Sequence, residues 1–245
     1  MSFEDLPPVL LLDLDDTIVT FSAGPRDFWV EAFERHAHEL PSVSTEAFRV
    51  AIYHSSDEYW GDGERAARGR QDLFASRREV AAGAFARLGT DAGAVGDAIA
   101  DHYTRTKEDA VSLFPGAKET LQAFRERGIR LGMITNGGSD FQRAKIDRYE
   151  LAPFFDAIFV EGEFGVGKPH ASVFEAALEA LNARPEDAWM IGDNLHADIA
   201  GAQAVGIPGV WHDYSRAGLP DDPPAVPSRI MHDWSVFGLL QGPDA

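Results

Sequence analysis

Two carboxylates stand two residues apart in Asp13-Leu14-Asp15-Asp16-Thr17, directly behind the apolar run Val9-Leu10-Leu11-Leu12. Successive strand residues point to opposite faces, so a step of two brings Asp13 and Asp15 back towards one side, where both can reach one reacting centre. Such a pair can divide a displacement at phosphorus. One carboxylate attacks, while the other donates a proton to the leaving oxygen and later takes one from water.

Three more polar clusters follow apolar runs in the same way: Thr135-Asn136-Gly137, Lys168-Pro169 and Gly192-Asp193-Asn194, with Asp198 a little further on. Thr135 can hydrogen-bond the oxygens of a transferring phosphoryl group, the amides of Asn136 and Gly137 add donors, and Lys168 offsets negative charge. Carboxylates gathered at one place repel one another unless a hard cation or a lysine compensates them. Magnesium suits this donor set. The absence of cysteine and of any histidine-rich ligand spacing argues against zinc.

These clusters can meet only if the runs before them lie side by side. Residues 9–12, 129–134, 157–160, 189–191 and 207–211 are short apolar runs bounded by turn residues, the pattern of strands buried on both faces. Helical patterns over 117–127, 140–149, 172–181 and 196–205 alternate with them, and Gly128 and Gly206 act as stops. The alternation predicts an α/β fold, an open Rossmann-like parallel sheet flanked by helices through right-handed crossovers. Ligands of such sheets bind beyond the carboxyl ends of the strands, where every cluster falls. The Pro-rich stretch 220–224 reads as a loop before a final strand or helix.

From about residue 20 to 109 the alternation stops and only helices are indicated, most clearly over 72–88 with Phe74, Ala81, Phe85 and Leu88 on one stripe. The expected organisation is a catalytic core of residues 1–19 and 110–245, with a small α-helical cap domain, 20–109, inserted over the end of the first strand. Such a cap would exclude water and admit only small substrates. In the cap, Arg65, Arg68, Arg70, Arg77 and Arg78 face only Asp72 within 65–78. They either draw in an anionic substrate or form a helix surface balanced by Glu64 and Glu79. Phe28, Trp29, Tyr59 and Trp60 read mainly as the core of the cap itself, and His36, His38 and His54 as solvated or capping residues.

The chain has 245 residues, with 22 Lys and Arg against 40 Asp and Glu, a net charge of −18. That field opposes nucleic-acid polymers and anionic membranes, which leaves a small molecule as the expected partner. No apolar run approaches the roughly 18 residues of a membrane span. Glu4 and Asp5 stand where a signal peptide would be basic, so a cytoplasmic location is expected. No pattern indicates an oligomeric state. The segment Gly162-Glu163-Phe164-Gly165-Val166-Gly167-Lys168 has P-loop spacing, but Pro169 replaces the serine or threonine that a P-loop needs for magnesium, and that reading is set aside.

With its four motifs in order across residues 13–198, the chain resembles the haloacid dehalogenase-like phosphatases. The flanks Gln142-x-x-Lys145 and Phe154-Phe155-Asp156 are similar to the nucleotidase-like branch of that superfamily. The resemblance implies that Asp13 is a nucleophile forming an aspartyl-phosphate, Asp15 the general acid and base, and Thr135 and Lys168 anchors of phosphate and nucleophile. It further implies that Asp13, the Asp15 carbonyl and Asp193 bind magnesium, with Asp198 holding the waters of the ion or Lys168. Many relatives carry glycine where this chain has Asp16. The expected activity is hydrolysis of a small phosphomonoester, such as a nucleoside monophosphate or a sugar phosphate. A sugar phosphomutase would use the same residues, and a phosphate sensor without turnover would have no need of Asp15. A 2-haloacid dehalogenase is disfavoured because that branch lacks the second aspartate.

Overall fold

A computed structural model of the chain describes residues 6–22 and 27–238. In chain order the first elements are β1 (Val9–Leu12) and β2 (Val19–Thr20). Five helices follow: α1 (Phe28–His36), α2 (Thr45–Gly61), α3 (Gly63–Gln71), α4 (Leu73–Arg87) and α5 (Gly93–Asp109). Then come β3 (Ser112–Leu113), α6 (Ala117–Glu126), β4 (Arg130–Thr135), α7 (Ser139–Arg148), β5 (Ala157–Val160), α8 (Glu161–Phe164) and α9 (Ala171–Ala180). The last are β6 (Ala188–Gly192), α10 (Gly201–Ala204), β7 (Gly209–His212) and β8 (Arg229–Met231). They form two compact units, residues 24–111 and the remainder, 1–23 with 112–245.

The second of these units is built on a six-stranded sheet of order β5-β4-β1-β6-β7-β8 in which every neighbouring pair is parallel. It is the Rossmann-like α/β sheet. All four residues of β1 are completely buried, as an apolar strand covered on both faces must be. Leu12 pairs with Met133 on one side and Ile191 on the other, so β4 runs two residues and β6 one residue past the end of β1. Leu121 and Phe124 of α6 and Val173, Phe174 and Ala177 of α9 supply buried faces of the flanking helices.

Two local features differ from the sequence reading, and the strand-or-helix alternative after the Pro-rich stretch is decided. The chain after the Pro-rich stretch forms β8, whose first two residues are exposed at the sheet edge. β2 and β3 form an antiparallel pair of two residues each, too short to leave a periodicity, and tied by a Thr20 to Ser112 side-chain contact of 2.9 Å. The helix expected over 196–205 begins with a π-helical segment, Leu195–Ala200, before α10. There Asn194 Oδ1 accepts from the amides of His196 and Ala197, while the Asp198 carboxylate turns back to the Asn194 amide at 2.9 Å.

The other unit holds α1–α5 around an aromatic core in which Phe33 stacks on Phe48 at 4.4 Å and Trp29 on Tyr103 at 3.8 Å. Tyr59 is buried and Trp60 packs against the same core. On α4 the buried face carries Val80, Ala81, Ala84 and Phe85, with Phe74 only half-buried beneath the Arg105 guanidinium. Of the five arginines, Arg78 makes a two-pronged bond with Asp101, Arg77 lies buried 3.4 Å from Glu108, and Arg65 lies over the Tyr59 ring. These three are engaged within their own unit.

Candidate active site

Asp13 is the first residue past β1, and its amide still donates to Ile191 O at 2.9 Å, extending the ladder to β6 by one step. The chain then folds back sharply: the amides of Ile18 and Val19 both donate to Leu14 O. Asp16 sits in the left-handed region at φ 55°, where aspartate is among the few side chains tolerated. Its carboxylate accepts from the amides of Phe21 and Ser22 at 2.8 and 2.7 Å, contacts that glycine could not supply. His212 on β7 braces the same turn at 2.9 Å from Asp16 O. A carbonyl only accepts, so Nδ1 carries the proton, and burial pulls the histidine pKa down, keeping the ring neutral.

Lys168 reaches this turn from the loop between α8 and α9. Its ammonium lies 2.6 Å from Asp13 Oδ1 and 2.7 Å from Asp198 Oδ1, all three side chains being almost completely buried. The Asn136 side chain holds the lysine backbone at both ends, accepting from Lys168 N at 2.8 Å and donating to Lys168 O at 2.7 Å. Gly192 is required where it stands, because a Cβ there would lie 2.3 Å from the Asp198 carboxylate.

Oxygens of Asp13, Asp193 and Asp198 lie within 4.8 Å of one another, with Lys168 as the ammonium among them. Three carboxylates and one ammonium leave an excess of negative charge. Burial drives Asp13 up to about 7, reinforced by Asp198 and opposed by Lys168. Burial also drives Asp193 up to about 9, with Asp13 and Asp198 adding to the push. The Lys168 ammonium loses hydration on burial, yet its two aspartates hold its pKa above the ordinary value. This all-oxygen set, short of positive charge, fits a hard divalent cation such as magnesium.

A second network surrounds Asp15. Lys145 Nζ lies 2.7 and 2.9 Å from its two carboxylate oxygens, and Gln142 Nε2 donates to Asp15 Oδ2 at 2.9 Å and to Thr135 Oγ1 at 2.5 Å. Thr135, the last residue of β4, is buried. The structure thus gathers Asp13, Lys168, Asp193 and Asp198 in one cluster and Asp15 with Thr135 in another, joined through the turn after β1. Gly137 behaves differently from the expectation that its amide serves phosphate: at φ 129° that N–H donates 2.8 Å to the buried Glu161 carboxylate. The Asn136 side chain is likewise committed to the Lys168 backbone. The sequence reading gave no role to Glu161 or His212, and it used Gln142 and Lys145 only as marks of resemblance. The i,i+3 spacing of that last pair, just after the end of β4, was the available signal.

Residues 8–206 match the family model of the haloacid dehalogenase-like hydrolases, and the chain belongs to that family. Similar relatives include a glyceraldehyde 3-phosphate phosphatase of Pyrococcus furiosus, 34% identical over 85% of this chain and 81% of its own. A phosphoserine phosphatase of Thermus thermophilus is 32% identical over 92% of this chain and 95% of its own. Among solved structures, the HAD-hydrolase YfnB of Bacillus subtilis bound to magnesium superposes with a TM-score of 0.70, covering 94% of this chain and 96% of its own at 23% identity. Among the described residues no helix is long and apolar enough to cross a membrane.

Proposed function

We propose that the protein is a magnesium-dependent phosphatase that hydrolyses a small phosphomonoester through an aspartyl-phosphate on Asp13. The observation that carries this reading is the buried Asp13–Lys168–Asp198 cluster beside Asp193, with Asp15 two residues from Asp13. Asp13, the Asp15 carbonyl and Asp193 would hold the cation. When bound, magnesium supplies positive charge to the phosphoryl oxygens and to the attacking carboxylate.

Lys168 aims the Asp13 carboxylate and favours its ionised form, since its ammonium bonds one oxygen directly. Asp13 forms a bond to phosphorus as the bond to the leaving oxygen breaks, and Asp15 passes a proton to that oxygen. Asp15 then takes a proton from the water that attacks phosphorus, and the bond between Asp13 and phosphate breaks to release inorganic phosphate. Thr135 is suited to hold a phosphoryl oxygen throughout, as is the Asn136 amide; the Gly137 amide would join them only on leaving Glu161.

Similarity to phosphatases of glyceraldehyde 3-phosphate and phosphoserine favours alkyl phosphates on a short carbon chain over nucleotides. The test is phosphate release from a panel of three-carbon phosphates, sugar phosphates and nucleoside monophosphates, with magnesium and with EDTA. Magnesium-dependent release that vanishes in Asp13→Asn is expected. Release that persists in Asp13→Asn would refute the mechanism, and silence across the panel from folded, magnesium-loaded protein would refute the activity.

A further inference from the structure

Lys145 is a buried lysine for which the proposed reaction has no use. It projects from α7 with Gln142, one turn earlier on the same face, and each bonds Asp15. Neither does so alone. Lys145 Nζ also lies 3.0 Å from Gln142 Oε1 and 4.4 Å from the centre of the Phe21 ring, and Gln142 Nε2 is shared with Thr135 Oγ1. Asp15 therefore receives three hydrogen bonds from one helix face, and that face is itself pinned to the end of β4.

This arrangement solves a problem set by the backbone. Asp15 lies in the tight turn after β1, beside a left-handed residue, and its side chain is about a quarter exposed, at 24%. A carboxylate so placed has rotamer freedom, whereas proton transfer requires it to stay within hydrogen-bond reach of one oxygen of the substrate. We propose that Lys145 and Gln142 are positioning residues for proton transfer: they fix the Asp15 carboxylate relative to Thr135, so the acid and the phosphate anchor move as one body. The inference rests on the reading of Asp15 as general acid and base. A merely structural ion pair, joining α7 to the turn, would leave the same contacts but predict a different response to the leaving group.

The experiment compares wild type, Lys145→Met, Gln142→Ala and Asp15→Asn on the best alkyl phosphate of the substrate panel and on p-nitrophenyl phosphate, whose leaving group departs without a proton. General acid catalysis contributes about 10²- to 10⁴-fold, and loss of aim forfeits part of it. Lys145→Met is expected to lower kcat on the alkyl phosphate roughly 10- to 100-fold more than on the aryl phosphate, with KM changed less than about threefold. Gln142→Ala should move the ratio in the same direction, and Asp15→Asn further still. An equal loss on both substrates in variants that melt cooperatively would overturn the proposal while leaving the phosphatase reading intact. Gln142→Ala, which keeps the ion pair, decides the matter if Lys145→Met does not fold. An Asp15→Asn enzyme that fails to distinguish the two substrates would overturn the inference through its premise. A wild type inactive on every phosphate would overturn both readings.

Discussion

Replacing Lys168 by methionine removes the ammonium around which the Asp13 cluster is organised and keeps much of the side-chain length. The lysine is 2% exposed at its side chain and bonds Asp13 and Asp198 at 2.6 and 2.7 Å, so water cannot take its place without rearrangement. Removing one partner of a buried pair costs about 3–5 kcal/mol, because the remaining charge is left uncompensated. Here two carboxylates are stranded, and the upper part of that range is expected above neutral pH. At about 2–4 °C per kcal/mol for a chain of this size, the transition of the sheet-containing unit should fall by roughly 8–20 °C in EDTA. Protonation offers the stranded carboxylates an escape, so the deficit should shrink towards pH 5. Scanning calorimetry of wild type and variant at pH 5 and 8, each in EDTA, measures it. A variant melting within about 2 °C of wild type at pH 8 would show that the cluster is solvated and that Lys168 does not hold it together.

Other consequences follow from the same geometry. Burial raises Asp193 from its ordinary 3.8 to about 9. Between those values the folded protein binds more protons than the unfolded chain, so stability in EDTA should fall as pH rises through that window. Magnesium should stabilise the protein more at pH 8.5 than at pH 6; a melting temperature in EDTA that rises over this interval would contradict the assignment. Gly192→Ala should destabilise by about 2 kcal/mol or more and abolish phosphate release, since the new Cβ lies 2.3 Å from a fully buried carboxylate; denaturant titration checks the first and phosphate assay the second. Asp16→Gly should stay within about 1 kcal/mol of wild type in denaturant titration, because glycine accepts the left-handed backbone. Asp16→Ala should lose roughly 2 kcal/mol, having neither that freedom nor the two hydrogen bonds. Arg78→Ala removes an exposed pair with Asp101 and should change stability by less than about 1 kcal/mol, with phosphate release unaltered. A large drop in kcat/KM in that variant would restore the substrate-contact reading of the arginine cluster.

The strands that end in chemistry were legible because burial on both faces removes alternation and leaves unbroken apolar runs. Val9–Leu12 and Ala157–Val160 lie at the boundaries their hydrophobicity suggested, and β4 and β7 are shifted by only a residue or two. β2 and β3 were not legible, since a two-residue ladder is defined by its partner and leaves no local signal. The start of the helix after β6 was misjudged for a related reason. Asn194 and Asp198 bend it into a π-helical turn through side-chain bonds to nearby amides, which the apolar periodicity of the segment does not record, and Asp198 also meets Lys168.

The same division separates the parts of the candidate site. Asp13, Asp15, Thr135, Lys168, Asp193 and Asp198 could be chosen from residue type and position at strand ends, because the charge chemistry of phosphoryl transfer demands such groups there. What could not be chosen is how a polar group divides its bonds. Gly137 is expected to offer its amide to phosphate, yet that N–H goes to Glu161, a residue 24 positions further on, while the Asn136 side chain takes on the unforeseen task of holding the Lys168 backbone. Lys145 shows the converse. As one of two lysines meeting the aspartates after β1, it pairs with Asp15 as Lys168 pairs with Asp13, across 130 residues of sequence that only the fold brings together. A buried lysine on a helix face has no reading of its own in a single sequence, and it gains one when the carboxylate opposite is known. The leaving-group test of Lys145→Met therefore probes the part of the site that the fold supplies and the motifs do not.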